Sequence, residues 1–142
     1  MKRFRFPAKP LITVEWGNIQ KPLLEVLGLS IEIEVLELRD GANPENAHKI
    51  PGRHKYPNVI LKHSIKKGDL DFYNWIHAIN NNHVVKQHVL IHLKDKKNFK
   101  IRTWKIFNAW PCKVNFTDLN ANGNTTAIEV VELAHEGLEI IP

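Results

Sequence analysis

Cysteine is nearly absent from this 142-residue chain, where Cys112 stands alone. That excludes an intramolecular disulfide framework and any multi-cysteine metal knuckle. No apolar run approaches the ~20 residues that a membrane helix needs. The start, Met1-Lys2-Arg3-Phe4-Arg5-Phe6-Pro7, is basic, but no continuous apolar region follows it, so a secretory signal is not expected. A Gly-rich phosphate loop and a Gly-x-Ser-x-Gly elbow are both missing. Lys and Arg vanish from residues 114–142: of the 15 acids, Asp118, Glu129, Glu132, Glu136 and Glu139 fall there, while all 20 Lys and Arg precede them. Such asymmetry fits a basic surface for nucleic acid, two faces that attract copies of one protein, or two halves that interleave in one fold. What is present, 43% hydrophobic and 25% charged residues, suits one domain over residues 1–142, made in the cytosol and reduced.

Most of the chain reads as strand. Ser30 to Leu38 alternates, with Ile31, Ile33 and Val35 on one side and Glu32 and Glu34 on the other, which is the pattern of a half-buried strand. Val59–Ile65, Val84–Leu93, Ile101–Ala109 and Thr125–Leu133 are similar and rich in β-formers, and Leu11–Trp16 adds another. Asn122-Gly123 is a tight-turn pair. From Asp69 to Ile79 the apolar residues Leu70, Phe72, Tyr73, Trp75, Ile76 and Ile79 fit a helix, started by Asp69 or Asp71 and stopped by Asn80-Asn81-Asn82. The fold class expected is mainly β, an antiparallel barrel or sandwich with one short helix.

Residues 39–57 show no period and carry Gly41, Pro44, Pro51, Gly52 and Pro57. They read as a long loop, a composition suited to gripping a partner through Lys49, Arg53, His54, Lys55 and Tyr56. Residues 1–10 read as a basic N-terminal arm.

Catalytic chemistry is hard to find. His88 and His92 lie in an apolar alternation, and on a strand they would sit roughly 13 Å apart, too far for one ion. Cys112 follows Pro111 without an activating signature; a lone cysteine is more often a small buried hydrophobe. Glu32/Glu34 and Glu129/Glu132 look like solvated strand faces. The reading is a non-enzyme with no metal and no cofactor. Lys94, Lys96, Lys97, Lys100 and Arg102, with Phe99 among them, form a basic turn that either binds nucleic acid or another acidic polymer, or keeps a strand edge soluble.

Four segments in order carry a more specific signal: Glu25-Val26-Leu27-Gly28-Leu29-Ser30-Ile31-Glu32, His48-Lys49-Ile50-Pro51-Gly52-Arg53-His54-Lys55-Tyr56, Phe107-Asn108-Ala109-Trp110-Pro111-Cys112-Lys113, and Ala127-Ile128-Glu129-Val130-Val131-Glu132-Leu133-Ala134-His135-Glu136-Gly137-Leu138. Together they resemble the tube proteins of contractile phage tails and phage-tail-like injection particles, over roughly residues 11–138. The chain departs from that pattern before Leu11, at Leu27, and at Gly41-Ala42 where a Gly-Gly pair is common. The resemblance implies a fold like the type VI secretion tube protein. It also implies homo-hexameric rings that stack into a hollow tube inside a sheath, with baseplate and spike at one end and a terminator at the other. Cargo can occupy the lumen, assembly takes place in the bacterial cytoplasm, and the tube has no membrane anchor of its own. The 39–57 segment would then be an inter-subunit arm whose basic residues meet acids such as Glu132 and Glu136 of a neighbour.

Overall fold

The apolar alternation builds ten strands and one helix in a computed structural model that describes residues 11–39, 41, 45, 47–80, 83–121 and 127–142. In chain order these are β1 (Leu11–Trp16), β2 (Ile19–Leu23), β3 (Glu25–Leu27), β4 (Glu32–Arg39), β5 (Ala47–Lys55), β6 (Val59–Ser64), α1 (Asp71–Ala78), β7 (Gln87–Lys94), β8 (Lys100–Phe116), β9 (Ile128–Ala134) and β10 (Gly137–Ile141). The expected arm at residues 1–10 and the turn at Asn122-Gly123 lie outside the described residues.

Eight strands form one antiparallel sheet in the order β2-β1-β7-β8-β9-β6-β3, with β10 on β8. The paired path is open, so the expected barrel is not closed by a ladder. Its two end strands are instead consecutive pieces of one chain, joined at Leu24, whose N–H donates to Lys62 O at 2.7 Å. The sheet therefore curls, and residues from both wings meet in one core: Val14 and Ile91 from one, Leu61 and Val131 from the other, all at most 1% exposed. Burying each such side chain stabilises by ~1.5–3 kcal/mol.

Alternation selects the register. In β6 and β9, Val59 faces Leu133 and Leu61 faces Val131, each pair directly opposite and buried. The next pair along that row is His63 and Glu129, joined Nε2 to Oε1 at 2.7 Å. A one-residue slip would bring the solvent-facing residues inward, so this row fixes the pairing.

Strand β8 runs 17 residues, well past the expected end at Ala109. Its first part pairs with β7 and β10 and its second with β9. Between them Asn108 adopts φ 50, and the register shifts between Pro111 and Lys113. Asn108 and Pro111 thus mark a bend and a bulge, which let one strand serve both wings. Strands β2, β3 and β10 were not expected from the sequence; each is short, and β2 contains Pro22.

Helix α1 occupies the expected segment and buries Phe72 and Trp75. Trp16 stacks on both, with ring centroids 4.7 and 5.3 Å away, and the Trp75 indole N–H donates to Val85 O at 2.8 Å. Leu70 holds the N-cap position without a side-chain cap bond. Asp69 and Asp71 grip the Lys21 ammonium instead, tying the helix start to β2. Lys21 is only 7% exposed. Its burial alone would favour the neutral amine, but hydrogen bonds and charge from Asp69 and Asp71 outweigh that and raise its pKa. Partial burial likewise opposes ionisation of Asp69, and Lys21 with the Asp71 N–H overcomes it, holding the carboxyl below the usual range.

The largest correction concerns residues 39–57. Residues 47–55 are not loop but strand β5, paired antiparallel to β4 in a separate two-stranded ribbon. Neither strand contains a buried residue. Without a core on either face nothing selects an alternating pattern in β5, so its period is invisible in sequence. Pro51 and Gly52 fit because the register slips by one residue between Ile33 and Val35. A Cβ on Gly52 would lie 3.2 Å from both Glu34 Cβ and Leu36 Cγ.

Candidate assembly surfaces

The ribbon carries a cluster of exposed apolar side chains. Strand parity puts Ile33 and Val35 on one of its faces. Leu36, Leu38 and Ile50 lie on the other, with Leu36 directly opposite Ile50. Val35 is 62% exposed and Leu38 56%. An isolated two-stranded hairpin is at best marginally stable in water, and contiguous exposed apolar surface marks an interaction site. The Ser30–Leu38 alternation announced these side chains but not that both faces lack a core.

Among the residues expected to make contacts, Lys49, Arg53, His54 and Lys55 are exposed on β5. Lys49 stands opposite Glu37 and Lys55 opposite Glu32 in the ladder. Tyr56 lies just beyond the ribbon, half-buried, with its ring 5.8 Å from the His135 ring. The acids expected across the junction have partners within the chain. Glu132 accepts from Asn58 Nδ2 at 3.0 Å. Glu136 accepts from Lys86 Nζ at 2.6 Å and Asn108 Nδ2 at 2.7 Å, which hold its carboxyl below the usual range. The structure brings Tyr56 beside His135, the neighbour of Glu136, with His54 stacked on Tyr56 at 6.4 Å.

Strand edges form a second surface. The described structure places no strand beside the outer edge of β10 (Gly137–Ile141), whose single partner is β8. Such an edge offers unpaired N–H and C=O groups to another chain.

The remaining candidates resolve into local structure. The basic turn is organised by Asp95, whose carboxylate accepts from the N–H groups of Lys97 and Phe99 at 2.9 and 3.0 Å, and it displays Phe99 at 68% exposure. His92 is buried, with Nδ1 2.8 Å from Thr103 Oγ1 and Nε2 2.9 Å from Glu15 Oε2. That hydrogen bond leads the depression of the Glu15 pKa. His88 is exposed and accepts the Asn108 N–H at 3.3 Å. Among the described residues no three His, Cys, Asp or Glu side chains are placed to hold a metal ion. Cys112 is exposed, not a buried hydrophobe; partial burial and the Glu132 charge push its thiol pKa up, the opposite of nucleophile activation. No described helix is long and apolar enough to cross a membrane.

A curled antiparallel sheet with one flanking helix and a projecting ribbon is the fold class of contractile-machine tube proteins. Hcp1 from Flavobacterium johnsoniae shares it with a TM-score of 0.62, covering 92% of this chain and 94% of that one at 11% identity, a likeness of fold alone. Closer in sequence is a chain of the anti-feeding prophage tube-terminating cap, 27% identical with TM-score 0.84, covering 99% of this chain and 93% of that one. A chain of the sheath–tube complex of an extracellular contractile injection system, PVC, in its extended state is also 27% identical. Its TM-score is 0.83, covering 92% and 87%. The chain belongs to the family of the T4-like virus tail tube protein gp19, whose family model matches residues 9–139. No curated protein sequence matches it significantly.

Proposed function

We propose that this protein is the structural subunit of the inner tube of a contractile injection system, assembling as hexameric rings that stack into a hollow tube. The observation that carries the reading is the β4–β5 ribbon, whose two faces carry exposed apolar side chains that find no core among the described residues. A neighbouring subunit supplies that core. Lys49, Arg53, His54, Lys55 and Tyr56 flank the contact, with Glu132 and Glu136 as its acidic counterparts. Exposed pairs of this kind contribute only ~0–1 kcal/mol each, so apolar burial carries most of the association. Free edges such as that of β10 pair between subunits and close the ring. Stacking is a head-to-tail association that stays open, as a filament requires. Family membership supports the same reading, with sheath outside, baseplate and spike below, terminator above and cargo in the lumen. The subunit is assembled in the bacterial cytoplasm, and its work is structural, not catalytic.

Negative-stain microscopy of the purified protein tests this directly, with rings or tubes bearing a central hole as the expected image. A Val35→Asp, Leu38→Asp variant should keep the unfolding transition of the subunit and lose those particles. Light scattering that shows only a monomer across a broad concentration range would sink the proposal. Salt separates it from polyanion binding by the basic turn, which should weaken steeply as salt rises; association by apolar burial should persist.

A further inference from the structure

The four segments that carry the family resemblance lie far apart in the chain, yet each sends a residue to the place where the ribbon joins the sheet: Gly28, Tyr56, Cys112 and Glu132. Two passages of chain make that join, residues 28–31 leading into β4 and residues 56–58 leading out of β5. They cross at Gly28. Its φ of +86 and missing Cβ let it lie against Asn58 O, where an added Cβ would stand 2.2 Å away.

Asn58 ties the crossing to the sheet. A carboxylate only accepts, so the Asn58 amide nitrogen faces Glu132 and donates to Oε1 at 3.0 Å. The same nitrogen lies 3.8 Å from Cys112 Sγ, and an amide NH2 has one hydrogen for each. The Cys112 thiol donates its own proton to Glu132 O at 3.4 Å, which leaves sulfur lone pairs for Asn58. Glu132 is a firm anchor, because β9 is paired on both sides, to β6 at Ile60 and to β8 at Lys113. Tyr56 adds a ring contact 5.8 Å from His135.

Asn58 and Cys112 are exposed, so the cluster adds little to the core. What it acts on is the ribbon, since neither β4 nor β5 pairs with any strand of the sheet. On a loose neck such a ribbon would sample many angles, and a partner would have to order it at a cost in affinity and rate. We propose that Asn58 and Glu132 are positioning residues: their bond, beside the Gly28 crossing, fixes the ribbon at one angle on the sheet of the free subunit and presents its apolar faces ready oriented to a second copy of the chain. Presentation to a second copy rests on the assembly reading; the fixed angle is a property of one chain.

Single-molecule energy transfer on the full chain tests the angle at picomolar concentration, where subunits are apart. Dyes on unnatural residues in place of Lys49 on the ribbon and Lys97 on the β7–β8 turn leave Cys112 untouched. One distance is expected, and donor lifetimes distinguish it from a fast average over many. Asn58→Ala and Glu132→Ala should each turn it into a spread while the unfolding transition of the sheet is kept. Glu132→Gln retains an acceptor and should keep the single distance. A spread in the natural chain, or an unchanged single distance in either alanine variant, overturns the proposal. If Asn58→Ala does not fold, Glu132→Ala decides. In assembly, Asn58→Ala should need about three- to tenfold more protein to reach the half-way point, because apparent affinity falls with the fraction of subunits whose ribbon holds the competent angle. Equal half-way concentrations would overturn the presenting role. A single distance in a natural chain that never assembles would count against the assembly reading alone.

Discussion

The curled sheet and the ribbon are made from the same kinds of residue and end in opposite states. Along β6 and β9 every second residue is buried; along β4 and β5 none is. Ile33, Val35, Leu36 and Leu38 would suit the core as well as Val59 or Leu61. The difference teaches that a strand's apolar content states a need for burial without saying which chain meets it. In the sheet the need is met internally, so its stability belongs to one subunit. In the ribbon it is deferred.

The sharpest break in that comparison is a cavity in the sheet. Leu61 is fully buried, and Leu61→Ala should destabilise the subunit by ~2–5 kcal/mol in urea unfolding. A smaller loss would mean that the two wings collapse onto the gap.

Next in size is the charged tie between sheet and helix. Lys21→Met leaves Asp69 and Asp71 without their cation and should cost ~1–3 kcal/mol at pH 7. The Asp69 pKa is depressed in the folded state. Its contribution is therefore present above the ordinary carboxylate pKa and lost as pH falls through the folded value. The Lys21 pKa is raised, so its contribution is full at neutral pH and lost only as strongly alkaline pH passes the folded value. Acid titration of unfolding should show the natural chain losing more stability below about pH 5 than Lys21→Met does. Parallel curves would rule out the tie as the cause.

A backbone test of the sheet falls in the same range. At Gly28 φ is +86, and a Cβ would stand 2.2 Å from Asn58 O, against the segment that leads from ribbon to sheet. Gly28→Ala should cost about 2 kcal/mol. Gly17 has φ +56 with nothing within 4 Å of an added Cβ, so Gly17→Ala should cost about 1 kcal/mol. Thermal unfolding of the pair separates steric conflict from backbone preference, and equal losses would show that the close approach does not matter.

The smallest effect on the isolated subunit should come from the ribbon. Val35→Ser is expected to stay within about 0.5 kcal/mol of the natural chain in unfolding while reducing assembly seen by sedimentation. If it destabilises the subunit as a core substitution does, the ribbon folds back on its own sheet and the comparison fails.

Much of this was legible in residues alone. Period-2 alternation with a single buried face announced β1, β6 and β9, because one-sided burial writes itself into every second position. The α1 segment was equally plain, since Phe72, Trp75 and Ile76 return at helical spacing. The order of four motifs pointed to the tube family that residues 9–139 match. The curl of the sheet, by contrast, depends on its two end strands meeting at Leu24. The length of β8 depends on Asn108 and Pro111 being accommodated as bend and bulge, and local propensity cannot tell that from termination. Strand β5 was hidden because a ribbon exposed on both faces imposes no period. Local pattern, set by which side chains avoid water, was thus determined by the sequence itself. Which strands share an edge and which apolar faces find no core among the described residues were decided only by tertiary structure, because those depend on residues distant in sequence converging in space.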